Sequence, residues 1–201
     1  MTTATFETKT TTKAPDALLP QKAGSKLWKP MLVMALMGFA VGIALAFVRS
    51  NAIFEGEFQD AAALGHFVPA AMFLGFAAVL AAISFAIARI LGEFRVGGGS
   101  VQEAVGSEVK TLKMPKTGKA SIGLMMMAMM LLIGAVIVHV FAGIAILDGQ
   151  TTGIASAQAV DYLEAARRIG VSLYLLSITF GLATIIQVLR FQSIRIRDLA
   201  R

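Results

Sequence analysis

The sequence predicts an all-α integral membrane protein, a bundle of four transmembrane helices. Three observations predict it. Of the 201 residues, 57% are hydrophobic and only 15% charged, against roughly 25% charged in ordinary soluble domains. Four continuous apolar runs have the length of a bilayer crossing, which takes roughly 20 residues as a helix. None of the runs alternates as barrel strands do, and backbone in lipid satisfies its own hydrogen bonds within one segment only as a helix. The chain has no Cys, which excludes disulfides, Cys-ligated metal centres and thiol nucleophiles.

In chain order, residues 1–26 read as a disordered cytoplasmic tail rich in Thr and Lys, and 27–201 as the membrane domain. The first span covers about 29–48. Trp28 and Lys29 stand where an interfacial anchor pair belongs, and Pro30 suits a first helical turn. The span lies too far from the N-terminus for a cleaved signal peptide, so it reads as an uncleaved anchor. Gly38 and Gly42 form a GxxxG, expected at a close contact either within the bundle or with a partner helix. A short acidic outer loop, 49–62, leads to a second span over about 63–91. The cytoplasmic loop 92–120 opens on a flexible hinge at Gly97–Ser100. A third span follows over about 121–147. The outer loop 148–170, helical in its second half, leads into a fourth span over about 171–190.

Lys and Arg set the direction. Fifteen of the 18 basic residues fall in the two tails and the middle connection; only Arg49, Arg167 and Arg168 fall in the other two. The acids divide evenly, so one side carries about +9 and the other about −3. Both termini are therefore expected in the cytoplasm, with the chain multi-pass in the cell membrane. The basic side answers to anionic lipid rather than to nucleic acid.

The only two histidines, His66 and His139, lie in predicted spans. An ionisable group in a span marks a functional site by default. At 1.5 Å per residue, His66 sits about 4.5 Å and His139 about 12 Å from the outer end, so the rings can meet in the outer half. Two imidazoles from two helices are the axial set of a b-type haem. Ala62 and Ala70 flank His66, and Ala135 and Gly143 flank His139, leaving a flat group room. Arg167 and Arg168 can pair with its propionates. This layout resembles the membrane cytochrome b subunits of respiratory enzymes, and the resemblance, one of architecture alone, implies electron transfer. The structural alternative gives His139 a hydrogen bond to Ser172, Ser177, Thr179 or Thr184 of the fourth span.

Eleven methionines add a second candidate. Met31, Met34 and Met37 on the first span, with Met126 and Met130 on the third, are thioethers of the kind that hold copper(I). Flexible Met side chains equally suit contact with other subunits. No Asp, Glu, Lys or Arg lies deep in a span, and no phosphate loop or catalytic triad is present. A self-contained enzyme is not expected. The expected function is a non-catalytic subunit of a larger membrane-protein complex, with haem between His66 and His139 as its electron-transfer form. The alternative is an oligomeric protein, including a homo-oligomer, that transports or handles a small solute or copper.

Overall fold

The computed structural model describes residues 6–150, 152 and 157–199. Parts of the predicted tail (1–5), of the predicted outer loop (151 and 153–156) and the final two residues lie outside them. Helices make up 84% of the described residues, and four of them are long and apolar enough to cross a membrane. They are α1 (Leu19–Glu55), α2 (Phe58–Ala104), α3 (Lys116–Leu147) and α4 (Ala157–Leu199). Two short strands, β1 (Thr8–Thr11) and β2 (Val109–Leu112), pair antiparallel with Thr8 opposite Leu112.

The helices outrun the apolar segments that predict them. At 37 and 47 residues, α1 and α2 extend about 55 and 70 Å, well beyond a hydrocarbon core of about 30 Å. Their ends carry their own stop and start signals. Gln21 accepts a hydrogen bond from the Leu18 N–H at 2.8 Å, one half of a capping box that starts α1 upstream of the apolar run. Gly56, Gly106 and Gly149 adopt positive φ. Each closes a Schellman turn after α1, α2 and α3, with Glu57, Ser107 and Gln150 donating back to Ala52, Gln102 and Ala145.

Three expectations change as a result. Within the predicted tail, Thr8–Thr11 pairs with β2 and α1 is under way from Leu19. The outer loop 49–62 shrinks to a turn at Gly56–Glu57. The Gly97–Ser100 hinge is helical, part of α2. Its glycines serve close approach instead of bending: a Cβ on Gly98 would stand 2.5 Å from Arg195 Nη1, and one on Gly99 2.5 Å from Pro15 Cδ.

Contacts divide the chain into two compact units. One comprises residues 1–28, 83–123 and 176–201. Here α3 and α4 are joined by a polar ladder. The Ser121 and Ser177 hydroxyls each donate to the other's carbonyl at 2.8 and 2.7 Å, and the Thr117 and Thr184 hydroxyls meet at 2.8 Å. Arg195 is buried and donates to Gln102 Oε1 and to the Gly98 carbonyl.

The other unit comprises residues 29–82 and 124–175. The Gly38/Gly42 motif is used here, inside the chain. A Cβ on Gly38 would stand 2.9 Å from the Gly75 backbone, and one on Gly42 2.7 Å from Met72 Sδ. Gln59 donates to the Ile146 and Leu147 carbonyls, satisfying the last turn of α3. The buried residues of this unit are mostly alanines, while Leu36, Phe47 and Met130 are 63%, 70% and 74% exposed. Large apolar groups outside and small ones inside is the pattern of helices solvated by lipid, where association depends on close packing.

Candidate functional site: a buried histidine pair

Within the second unit, α2 turns one face to α3. On α2, Ala63, His66, Ala70, Phe73, Ala77 and Leu80 recur on one side and are buried; on α3, Ala135, His139 and Ala142 do the same, while buried Ala128 and Leu132 lie against Gly170 of α4. Spacings of three and four residues keep such a set on one side of a helix. The histidines are therefore members of the packing seam, and the alanines beside them let the two helices come close.

The structure brings the two rings into contact. His66 Nδ1 and His139 Nδ1 are 3.2 Å apart, the ring centroids 5.3 Å, and the ring planes meet at 55°. The rings are 5% and 3% exposed. Two nitrogens at this distance bond only if one carries the proton and the other the lone pair. With both rings neutral, one Nε2 keeps a lone pair and the other an N–H. The pair satisfies itself through Nδ1 and retains one acceptor and one donor.

A chain of contacts leads away from the pair. Phe73 stands edge-on to His139 with centroids 5.2 Å apart, and Arg167 lies over the Phe73 ring at 5.2 Å. Arg167 pairs with Glu164, which also accepts from Arg168 Nε at 3.0 Å. The two arginines expected at haem propionates are thus engaged by a carboxylate one turn earlier on α4. Three of the four α4 hydroxyls offered as partners of His139 have other partners. Ser177 and Thr184 bond to α3 residues of the other unit's ladder, and Ser172 to the Arg168 carbonyl.

The packing tests whether a porphyrin fits. Two axial imidazoles must face each other across a flat slot with the iron between them. Here the rings touch. The space beside Gly143 is filled by Phe67, whose ring would lie 2.7 Å from a Cβ at that position. Ala135 packs in a buried cluster with Phe73 and Leu163. In this packing no slot of that shape exists, and a porphyrin enters only if α2 and α3 move apart.

Met31 and Met34 are half-buried, whereas Met37, Met126 and Met130 are 63%, 59% and 74% exposed. Among the described residues no group of three or more His, Asp or Glu collects as a ligand set.

Sequence reading missed Phe67, Phe73 and Glu164. Two of them carried a signal. Phe73 lies seven residues after His66 on the same face, and Glu164 precedes Arg167 and Arg168 by three and four residues, the spacing of helix ion pairs. Phe67 points toward α3 from the residue after His66, a direction only the packing reveals.

These observations define the class of the protein: a multi-pass, all-α membrane protein with a buried interhelical histidine pair. Comparison with known proteins finds no matching family model, curated protein or solved structure.

Proposed function

We propose that this chain is a non-catalytic subunit of a larger membrane-protein complex in the cell membrane, with both termini cytoplasmic. The outward face of α3 carries this reading. Met127, Met130, Ile137 and Phe141 are 57%, 74%, 48% and 58% exposed, and Gly134 among them has nothing within 4 Å of where a Cβ would stand. Lipid tails cover any apolar side chain, but they give no use for a glycine there, which costs roughly 0.5–1 kcal/mol against Ala in a helix. A second helix does. A small residue lets two backbones close, and Met side chains conform to the facing surface. The spacing 127, 130, 134, 137, 141 is that of a helix–helix seam.

Native electrophoresis of membranes solubilised in mild detergent tests this. The chain is expected in an assembly well above its own 21.2 kDa, and Gly134→Leu should release it still folded, because no neighbour within the chain is displaced. A wild-type chain that runs as a stable monomer removes the proposal; an assembly of identical chains replaces it with the homo-oligomeric reading.

Two imidazoles on adjacent helices allow a second reading, which requires the closed packing of α2 and α3 to change. In it the pair opens to hold a b-type haem, Arg167 and Arg168 leave Glu164 for the propionates, and the subunit transfers electrons. Haem supplies the one-electron chemistry; the chain supplies the two ligands and an apolar surround. A Soret band in the purified protein, lost in both His66→Leu and His139→Leu, supports this reading. A colourless, folded preparation from haem-replete membranes ends it.

A further inference from the structure

We infer that the unit formed by residues 1–28, 83–123 and 176–201 holds a binding site for a phosphate-bearing anion, lined by Arg95 and Arg195. The site is a cavity of about 60 Å³ where α1 begins, α2 ends, β2 leads into α3, and α4 ends. Arg95 and Arg195 both line it, together with apolar side chains that include Leu91, Val188 and Phe191.

The charge in this cavity is not matched. Arg195 is only 3% exposed, yet its acceptors are Gln102, Gln192 and the Gly98 carbonyl, all neutral. Arg95 Nε is buried without a hydrogen-bond partner. Among the described residues neither guanidinium has a carboxylate within ion-pair distance. Four of the six acids of this unit are engaged elsewhere: Glu93 with Arg89, Asp198 with Lys110, Glu7 with Lys113, and Glu103 with the Ala14 N–H. A buried Arg195 and a partly buried Arg95 whose Nε is unpartnered, both without a counter-charge, are costly, and a bound anion lowers that cost.

The surroundings favour the same ligand class. The unit contains fourteen Lys and Arg against six Asp and Glu, so its field draws anions. Two guanidinium forks suit a tetrahedral oxyanion, and basic pockets at helix ends take lipid phosphates. The site also explains Gly98. A Cβ there would lie 2.5 Å from Arg195 Nη1 and 2.6 Å from Gln192 Oε1, so the glycine admits the guanidinium that faces the cavity. Phe191 supports it from another side, with its ring 5.5 Å from Arg195 Cζ.

Native mass spectrometry and thermal unfolding of the full chain in mild detergent test the proposal. The probes are dioleoylphosphatidylglycerol, dioleoylphosphatidylcholine and inorganic phosphate. One phosphatidylglycerol per chain is expected at about tenfold lower concentration than phosphatidylcholine, whose own choline cation neutralises the same phosphate; about tenfold is what one charge-assisted interaction is worth. Arg95→Gln should erase the preference and, because it breaks no bond within the chain, should fold normally. Arg195→Gln should do the same if it folds; if it does not, Arg95→Gln carries the test. Stabilisation by phosphatidylglycerol alone identifies a lipid headgroup. Equal stabilisation by inorganic phosphate, also lost in Arg95→Gln, identifies a free phosphate. Equal retention of the two lipids with no effect of phosphate, or a preference untouched by Arg95→Gln, overturns the proposal.

Discussion

Removing either ring of the His66–His139 pair leaves the other imidazole buried against an apolar side chain. In water-soluble proteins a stranded buried group costs about 1–3 kcal/mol. In a membrane the unfolded helices also find partners, and interhelical hydrogen bonds average about 0.6 kcal/mol with a maximum of about 1.7. The membrane value governs here, so His66→Leu and His139→Leu are each expected to cost about 1 kcal/mol. The double variant should cost less than the two singles together, since it strands nothing. Reversible unfolding in mixed micelles measures the coupling, and strictly additive losses would show that the 3.2 Å contact contributes nothing. That these two rings lie at depths where they can meet was legible from their positions in two apolar runs. That they touch with Phe67 and Phe73 filling the space around them was not, because it depends on the register of α2 against α3, set by alanines all along the seam.

The GxxxG of α1 looks symmetric in sequence and is not so in its packing. Gly38 faces backbone: a Cβ would stand 2.9 Å from Gly75 Cα and N and 3.2 Å from the Ala71 carbonyl oxygen. Backbone cannot rotate away, so α1 and α2 must separate. Gly42 faces the end of a flexible side chain, Met72, which can turn aside. Gly38→Ala is therefore expected to lower stability by about 1–3 kcal/mol, the range for overpacking, and Gly42→Ala by clearly less. Thermal unfolding of the two variants in one detergent ranks them, and an equal or reversed ranking would contradict the close α1–α2 approach. The apolar runs announced all four helices but not their ends. Helix continues through Gly97–Ser100 because those glycines admit Arg195 and Pro15, and β1 joins β2 across about a hundred residues. Neither pairing leaves a local signal.

The net charge of +6 is a sum over two unlike units. Basic residues dominate the unit with the polar ladder and the arginine cavity, whereas the histidine unit holds four basic and six acidic residues. Moving the basic unit across a membrane is opposed by the bias that keeps Lys and Arg in the cytoplasm, and this division is the argument for the proposed orientation. The absence of Cys makes the orientation simple to measure, because one introduced thiol is the only one present. Thr12 and Glu57 are both exposed, and they fall on opposite sides in the proposed arrangement. A membrane-impermeant maleimide is expected to label Glu57→Cys in intact cells and Thr12→Cys only after the membrane is opened. The reverse pattern would overturn the proposed orientation, and the charge asymmetry would then need a cause other than insertion.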